Sequence, residues 1–98
     1  MHMMLKASMN VEASNKAIHE GTFPQIMEKV LAKLQPEAVY FMAFQGKRTM
    51  LAFFDMKDTA MIPQIAEPLF SGMLAEIDFI PVMNQAELQQ GLAAALGG

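Results

Sequence analysis

The chain has 98 residues, a net charge of −3 and no cysteine. That length holds one domain around one core. The missing cysteines exclude disulfides, thiolate metal sites and cysteine nucleophiles, and the acidic balance argues against nucleic-acid binding, which requires a basic face. Apolar residues make up 53% of the chain and charged residues 17%, below the roughly 25% charge of an average globular domain. So apolar a composition leads to the expectation that part of the surface is covered by another chain. The eleven methionines read as soft core filler.

The first predicted element is a strand in MMLKASMN, residues 3–10. Met3, Leu5, Ala7 and Met9 alternate with Met4, Lys6, Ser8 and Asn10. Residues 11–20 form a transition with some helical character, ended at Gly21 by a left-handed cap. Thr22 is then expected to cap a helix over about residues 23–35, with Pro24 in its first turn. Ile26, Met27, Val30, Leu31 and Leu34 recur at helical spacing on one side, and Glu28, Lys29, Lys33 and Gln35 take the other. Pro36 stops it.

AVYFMAFQGKRTMLAFFD, residues 38–55, reads as a β-hairpin turning through Gln45-Gly46-Lys47-Arg48, with strands near 38–45 and 48–56. Asp58 is expected to cap a helix over about 59–73, kinked or split by Pro63 and Pro68 and closed at Gly72. EIDFIPVM, residues 76–83, predicts a strand whose Pro81 suits an edge or a strand end. Asn84 and Glu87 form a capping box for a last short helix.

The order is β-α-β-β-α-β followed by a C-terminal helix. With right-handed crossovers, two nested βαβ halves give a four-stranded antiparallel sheet with both helices on one face. The first and third strands are central and the second and fourth are edges. This is an α+β, ferredoxin-like arrangement, expected to occupy residues 1–98 as one domain.

Strand parity exposes a problem. On the first strand Lys6 and Ser8 must face away from the helices, because neither belongs unpaired in the core. The hairpin strands carry no all-polar side, so three bulky groups such as Tyr40, Met42 and Phe44 fall on the far face whichever way they turn. The third strand adds either Leu51 and Phe53 or Met50, Ala52 and Phe54. A bare apolar face of several hundred Å² is rare in a monomer. A second copy packed across a two-fold axis would cover it, and the C-terminal helix folding back is the competing cover.

In this element order and length, over roughly residues 3–83, the sequence resembles the dimeric α+β barrel proteins. The stretch IAEPLFSGMLAEIDFIPVMNQAELQQGL is most similar to an uncharacterised branch of that superfamily. The superfamily also includes cofactor-free antibiotic-biosynthesis monooxygenases and muconolactone isomerase-like enzymes. The resemblance implies a homodimer whose facing sheets enclose a cavity for a small, largely apolar molecule, with no cofactor. It does not imply a reaction.

Lys6, Ser8, Asp55 and Asp78 are the polar groups expected to share the far face with Tyr40. Lys6, Tyr40, Asp55 and Asp78 are the residues assigned to the cavity wall, where they would form a small acid/base cluster. The alternative is that they are solvated rim residues or ordinary ion pairs. His19, beside Glu20, is either a base or pH switch, or an exposed loop residue. His2 and His19 have no metal-ligand spacing. Lys47-Arg48 is either an anion site or a solvated turn. An RNA-recognition strand would carry aromatic residues where this chain has Thr49 and Leu51, so RNA binding is not expected. No apolar run approaches the roughly 18 residues of a membrane span, and MHMMLKAS lacks the long apolar stretch of a secretory signal. A cytoplasmic location is expected. Two functions stay open: a small-molecule-binding dimer, with cofactor-free oxidation or isomerisation as its chemistry, or a non-catalytic interaction module that uses the sheet face for assembly alone.

Overall fold

The computed structural model describes residues 1–97. Its elements are β1 (His2–Ser8), α1 (Val11–Glu20), α2 (Thr22–Leu34), β2 (Ala38–Phe44), β3 (Lys47–Asp55), α3 (Met61–Met73), β4 (Glu76–Pro81) and α4 (Gln85–Leu96). The four strands form one antiparallel sheet in the order β2-β3-β1-β4. β1 and β3 are therefore central and β2 and β4 are edges, the order compatible with a ferredoxin-like fold.

Registers assign each side chain to a face, since residues directly opposite share one. Met3, Leu5 and Ala7 lie opposite Phe54, Ala52 and Met50 on one side and opposite Pro81, Phe79 and Ile77 on the other. All of these except the exposed Pro81 meet Ala17 of α1, Met27, Val30 and Leu34 of α2, and Ile65, Leu69 and Met73 of α3 in a single core. All three helices thus lie on one face. Phe54 is fully buried and meets Phe79 edge to face, with centroids 6.3 Å apart.

Several elements differ in detail from the sequence reading. Residues 11–20 are a complete helix, because the Asn10 side chain accepts the Ala13 N–H at its start. Gly21, at φ 76°, ends α1 and begins α2 at once. Thr22 is therefore not a cap: it lies inside α2, and its hydroxyl donates back to the Ala17 carbonyl. α3 runs unbroken from Met61 to Met73. Pro63 falls in its first turn, where no intrahelical N–H bond is lost. Pro68 alone interrupts the ladder of this helix. Gly72 does not close it; Leu74 does, in the left-handed conformation at φ 47°. Gly72 instead faces Ile26 of α2 so closely that a Cβ there would lie 2.5 Å from the Ile26 Cδ1. A side chain here would require the Ile26 terminus to move aside.

α4 has the expected capping box between Asn84 and Glu87. It buries no residue, and Leu88 and Leu92 remain exposed. The molecule is correspondingly long, 57 by 27 by 18 Å. The C-terminal helix does not fold back over the sheet.

The two adjacent phenylalanines of β3 separate core from far face. Phe54→Ala removes a fully buried ring and is expected to cost about 3–5 kcal/mol in urea-unfolding experiments. Phe53→Ala, on the partly exposed far face, is expected to cost under about half of that in the monomer.

Candidate functional site

The far face is a grid set by the three registers. One row across the sheet reads Asp78, Lys6, Leu51, Tyr40. The next row towards the chain's N-terminus reads Ile80, Met4, Phe53, Ala38. On the opposite side lie Glu76, Ser8, Thr49 and Met42, followed at the hairpin end by Lys47 and Phe44. Of the two possibilities for β3, Leu51 and Phe53 are the residues that face away. Tyr40, Met42 and Ile80 are exposed, and Met4, Leu51 and Phe53 are half-buried. No helix among the described residues packs on this side.

The structure brings Lys6, Tyr40 and Asp78 into one row. Lys6 and Asp78 are direct cross-strand neighbours, yet they form no ion pair within 4.0 Å. The Lys6 ammonium instead reaches across β3 and sits 3.7 Å from the centre of the Phe44 ring. A cation over an aromatic face is attracted by the ring quadrupole. The Lys6 stem must pass above the β3 backbone to make this contact. Beneath it, the hydroxyls of Ser8 and Thr49 are buried and 3.1 Å apart, and the Thr49 hydroxyl also donates to the Lys47 carbonyl. Lys47 and Glu76 bridge the same end at 3.0 Å.

Asp55 lies apart from this row. It is four residues beyond Leu51 on β3, roughly 13 Å away along the strand. Its carboxylate accepts from the Met1 ammonium and from Lys57, each at 2.8 Å. The Lys57 bond, followed by the Met1 bond, holds the Asp55 carboxyl at about 2, well below its ordinary 3.8, and Asp55 raises the Lys57 ammonium in turn. The structure therefore places Asp55 in a terminal ion cluster, at the opposite end of β3 from the hairpin turn.

His19 is exposed in the last turn of α1, not in a loop. Arg48 turns to the helix side, where it donates to Ser14 at 2.7 Å and Asn15 at 2.9 Å. Lys47 and Arg48 thus point to opposite faces and do not form one anion site. Among the described residues no three His, Cys, Asp or Glu side chains converge. The Lys6–Phe44 contact and the Ser8–Thr49 pair escape a sequence reading, because each joins strands whose register is fixed only by the assembled sheet. The one legible clue is the Gln45-Gly46 turn, which sets Phe44 opposite Lys47.

No protein-family model matches the chain, and no curated protein sequence matches it significantly.

The Asp55 cluster has a definite pH signature. A depressed carboxylate contributes stability that is present above 3.8 and lost as pH falls through about 2. Both partners are solvent-exposed, so the effect on melting temperature is small. Carboxyl-carbon NMR is expected to show Asp55 titrating near 2, and Lys57→Ala is expected to return it towards 3.8.

Proposed function

We propose that this protein is a homodimer in which two far faces pack across a two-fold axis and enclose a site for a small, largely apolar molecule. One observation carries the reading. Met4, Tyr40, Met42, Leu51, Phe53 and Ile80 stand on a sheet face that α4 leaves open. Covering several hundred Å² of apolar surface contributes several kcal/mol per chain at about 25 cal/mol per Å². A two-fold partner presents the same surface, so one interface satisfies both chains.

Within such a pair the Asp78, Lys6, Leu51, Tyr40 row supplies the polar wall of the enclosed space. The Tyr40 hydroxyl and the Asp78 carboxylate orient a ligand held mainly by Met, Leu and Phe side chains, while the Lys6 ammonium stays over the Phe44 ring. Asp78 is the carboxylate of this row that faces the enclosed space and is placed to accept a proton from a ligand. Proton transfer is the chemistry of an isomerisation, one of the activities found in the dimeric α+β barrel superfamily that the sequence resembles.

A second reading, assembly without a ligand, has its own support. None of the buried side-chain nitrogen or oxygen atoms among the described residues lacks a hydrogen-bond partner. The face therefore has no buried polar group that demands a ligand.

Native mass spectrometry distinguishes these outcomes. Protein taken directly from cells is expected at twice the 10.8 kDa chain mass, with an additional small mass released on collision. A dimer without added mass supports assembly alone, and a monomer at micromolar concentration removes the proposal. Leu51→Lys places a charge at the centre of the row. It is expected to dissociate the dimer by two orders of magnitude or more in affinity while leaving the circular dichroism spectrum unchanged, because Leu51 lies off the core.

A further inference from the structure

The two edges of the sheet are built differently. β4 carries Glu76, Asp78 and Pro81, charges and an imino acid that block pairing with another strand. β2, AVYFMAF, carries no charge and no proline. Tyr40 and Phe41 keep 59% and 58% of their surface in water although they point to opposite faces, and Met42 keeps 37%. A seven-residue uncharged β-former on an open edge pairs with another strand unless something prevents it.

The hydrogen-bond parity shows what would fit. The Met9 N–H donates to the Arg48 carbonyl at 2.8 Å, so Arg48 directs its backbone groups towards β1. Along β3 the odd residues Lys47, Thr49, Leu51 and Phe53 then bond to β2. Their partners are Phe44, Met42, Tyr40 and Ala38. The two-residue Gln45-Gly46 turn, with φ 52° and 77°, closes on the same Phe44–Lys47 pair. The backbone N–H and C=O groups of Val39, Phe41 and Ala43 therefore point outward from the free edge.

This set is symmetric about Phe41. In an antiparallel pair of two β2 strands centred there, Phe41 bonds its own copy and Val39 exchanges bonds with Ala43, giving six hydrogen bonds. The two Phe41 rings meet on the helix side, and Tyr40 meets Met42 on the other. The other edge offers no such match: on β4 the Val82 N–H donates to the His2 carbonyl at 3.0 Å, so the backbone groups of Ile77, Phe79 and Pro81 face outward, and Pro81 has no N–H to give a partner.

We propose that the β2 edge is a second self-association surface, through which two copies join their sheets into one continuous eight-stranded sheet. It is distinct from the far-face contact and does not rest on it. The buried surface is several hundred Å² in total, below the roughly 1,200 Å² at which stable interfaces begin. The association is accordingly weak and concentration-dependent.

The test combines sedimentation equilibrium over a wide concentration range with residue-resolved amide exchange. Wild-type protein is expected to gain a species of twice the mass of its dilute form as concentration rises. The amides of Val39, Phe41 and Ala43 should gain at least tenfold protection over the same range, while Tyr40 and Met42 stay protected throughout. Phe41→Lys puts a charge at the symmetry point on the helix side. Ala43→Pro deletes an outward N–H from an exposed position without removing a bond to β3. Each is expected to abolish the added species and the gain in protection. The proposal is overturned if both variants behave as wild type, or if wild type shows no such species and no gain in protection. Leu51→Lys separates this contact from the far-face one: it should leave edge pairing intact, so edge association that survives while the far-face dimer is lost supports two independent surfaces.

Discussion

The pleat of β1 and β3 sends successive side chains to opposite sides of the sheet, and α1, α2 and α3 occupy only one of those sides. Met3, Leu5, Ala7, Met50, Ala52 and Phe54 are buried on the covered side. The residues between them have no choice of direction, because a shift of one position would drive Lys6 and Asp55 into the core. The far face is therefore a necessary product of the core. Its apolar content is what the fold leaves uncovered.

That face is not uniformly greasy. Its hairpin end is closed by the Lys6–Phe44 contact, the Ser8–Thr49 pair and the Lys47–Glu76 bridge. Its middle and the end nearer residue 4 remain apolar, with Leu51, Phe53, Met4 and Ile80. The polar groups of the hairpin end are paired with one another, whereas the apolar groups have no cover among the described residues. This difference separates a patch that excludes water from one that merely tolerates it.

The two edges show the same economy of means. Charges and Pro81 on β4 discourage pairing, while β2 has no such residue and directs the backbone groups of three residues into solvent. α4 continues the chain away from β4 without covering either side of the sheet. A capped helix of 12 residues is marginal in isolation. Its exposed Leu88 and Leu92 are a further apolar stripe outside the core.

The amino-acid order by itself determined the strands, the amphipathic α2, the hairpin turn and the capping box of α4. These depend on neighbours within a few positions: a period of two, a period near 3.6, Gly46 at positive φ, Glu87 three residues after Asn84. It also determined that one sheet face would be left apolar, because parity along β1 follows from Lys6 and Ser8 alone. The tertiary structure decided the rest. Leu51 and Phe53, not Met50 and Phe54, took the far side once β3 was locked to β1. Asp55 was carried away from Lys6 to the Met1 and Lys57 cluster by strand length. Gly72 became a helix contact when α2 met α3. Each of these outcomes depends on which residues of different strands and helices end up opposite one another. That relation is set by packing the whole sheet against its helices, and no local stretch of sequence contains it.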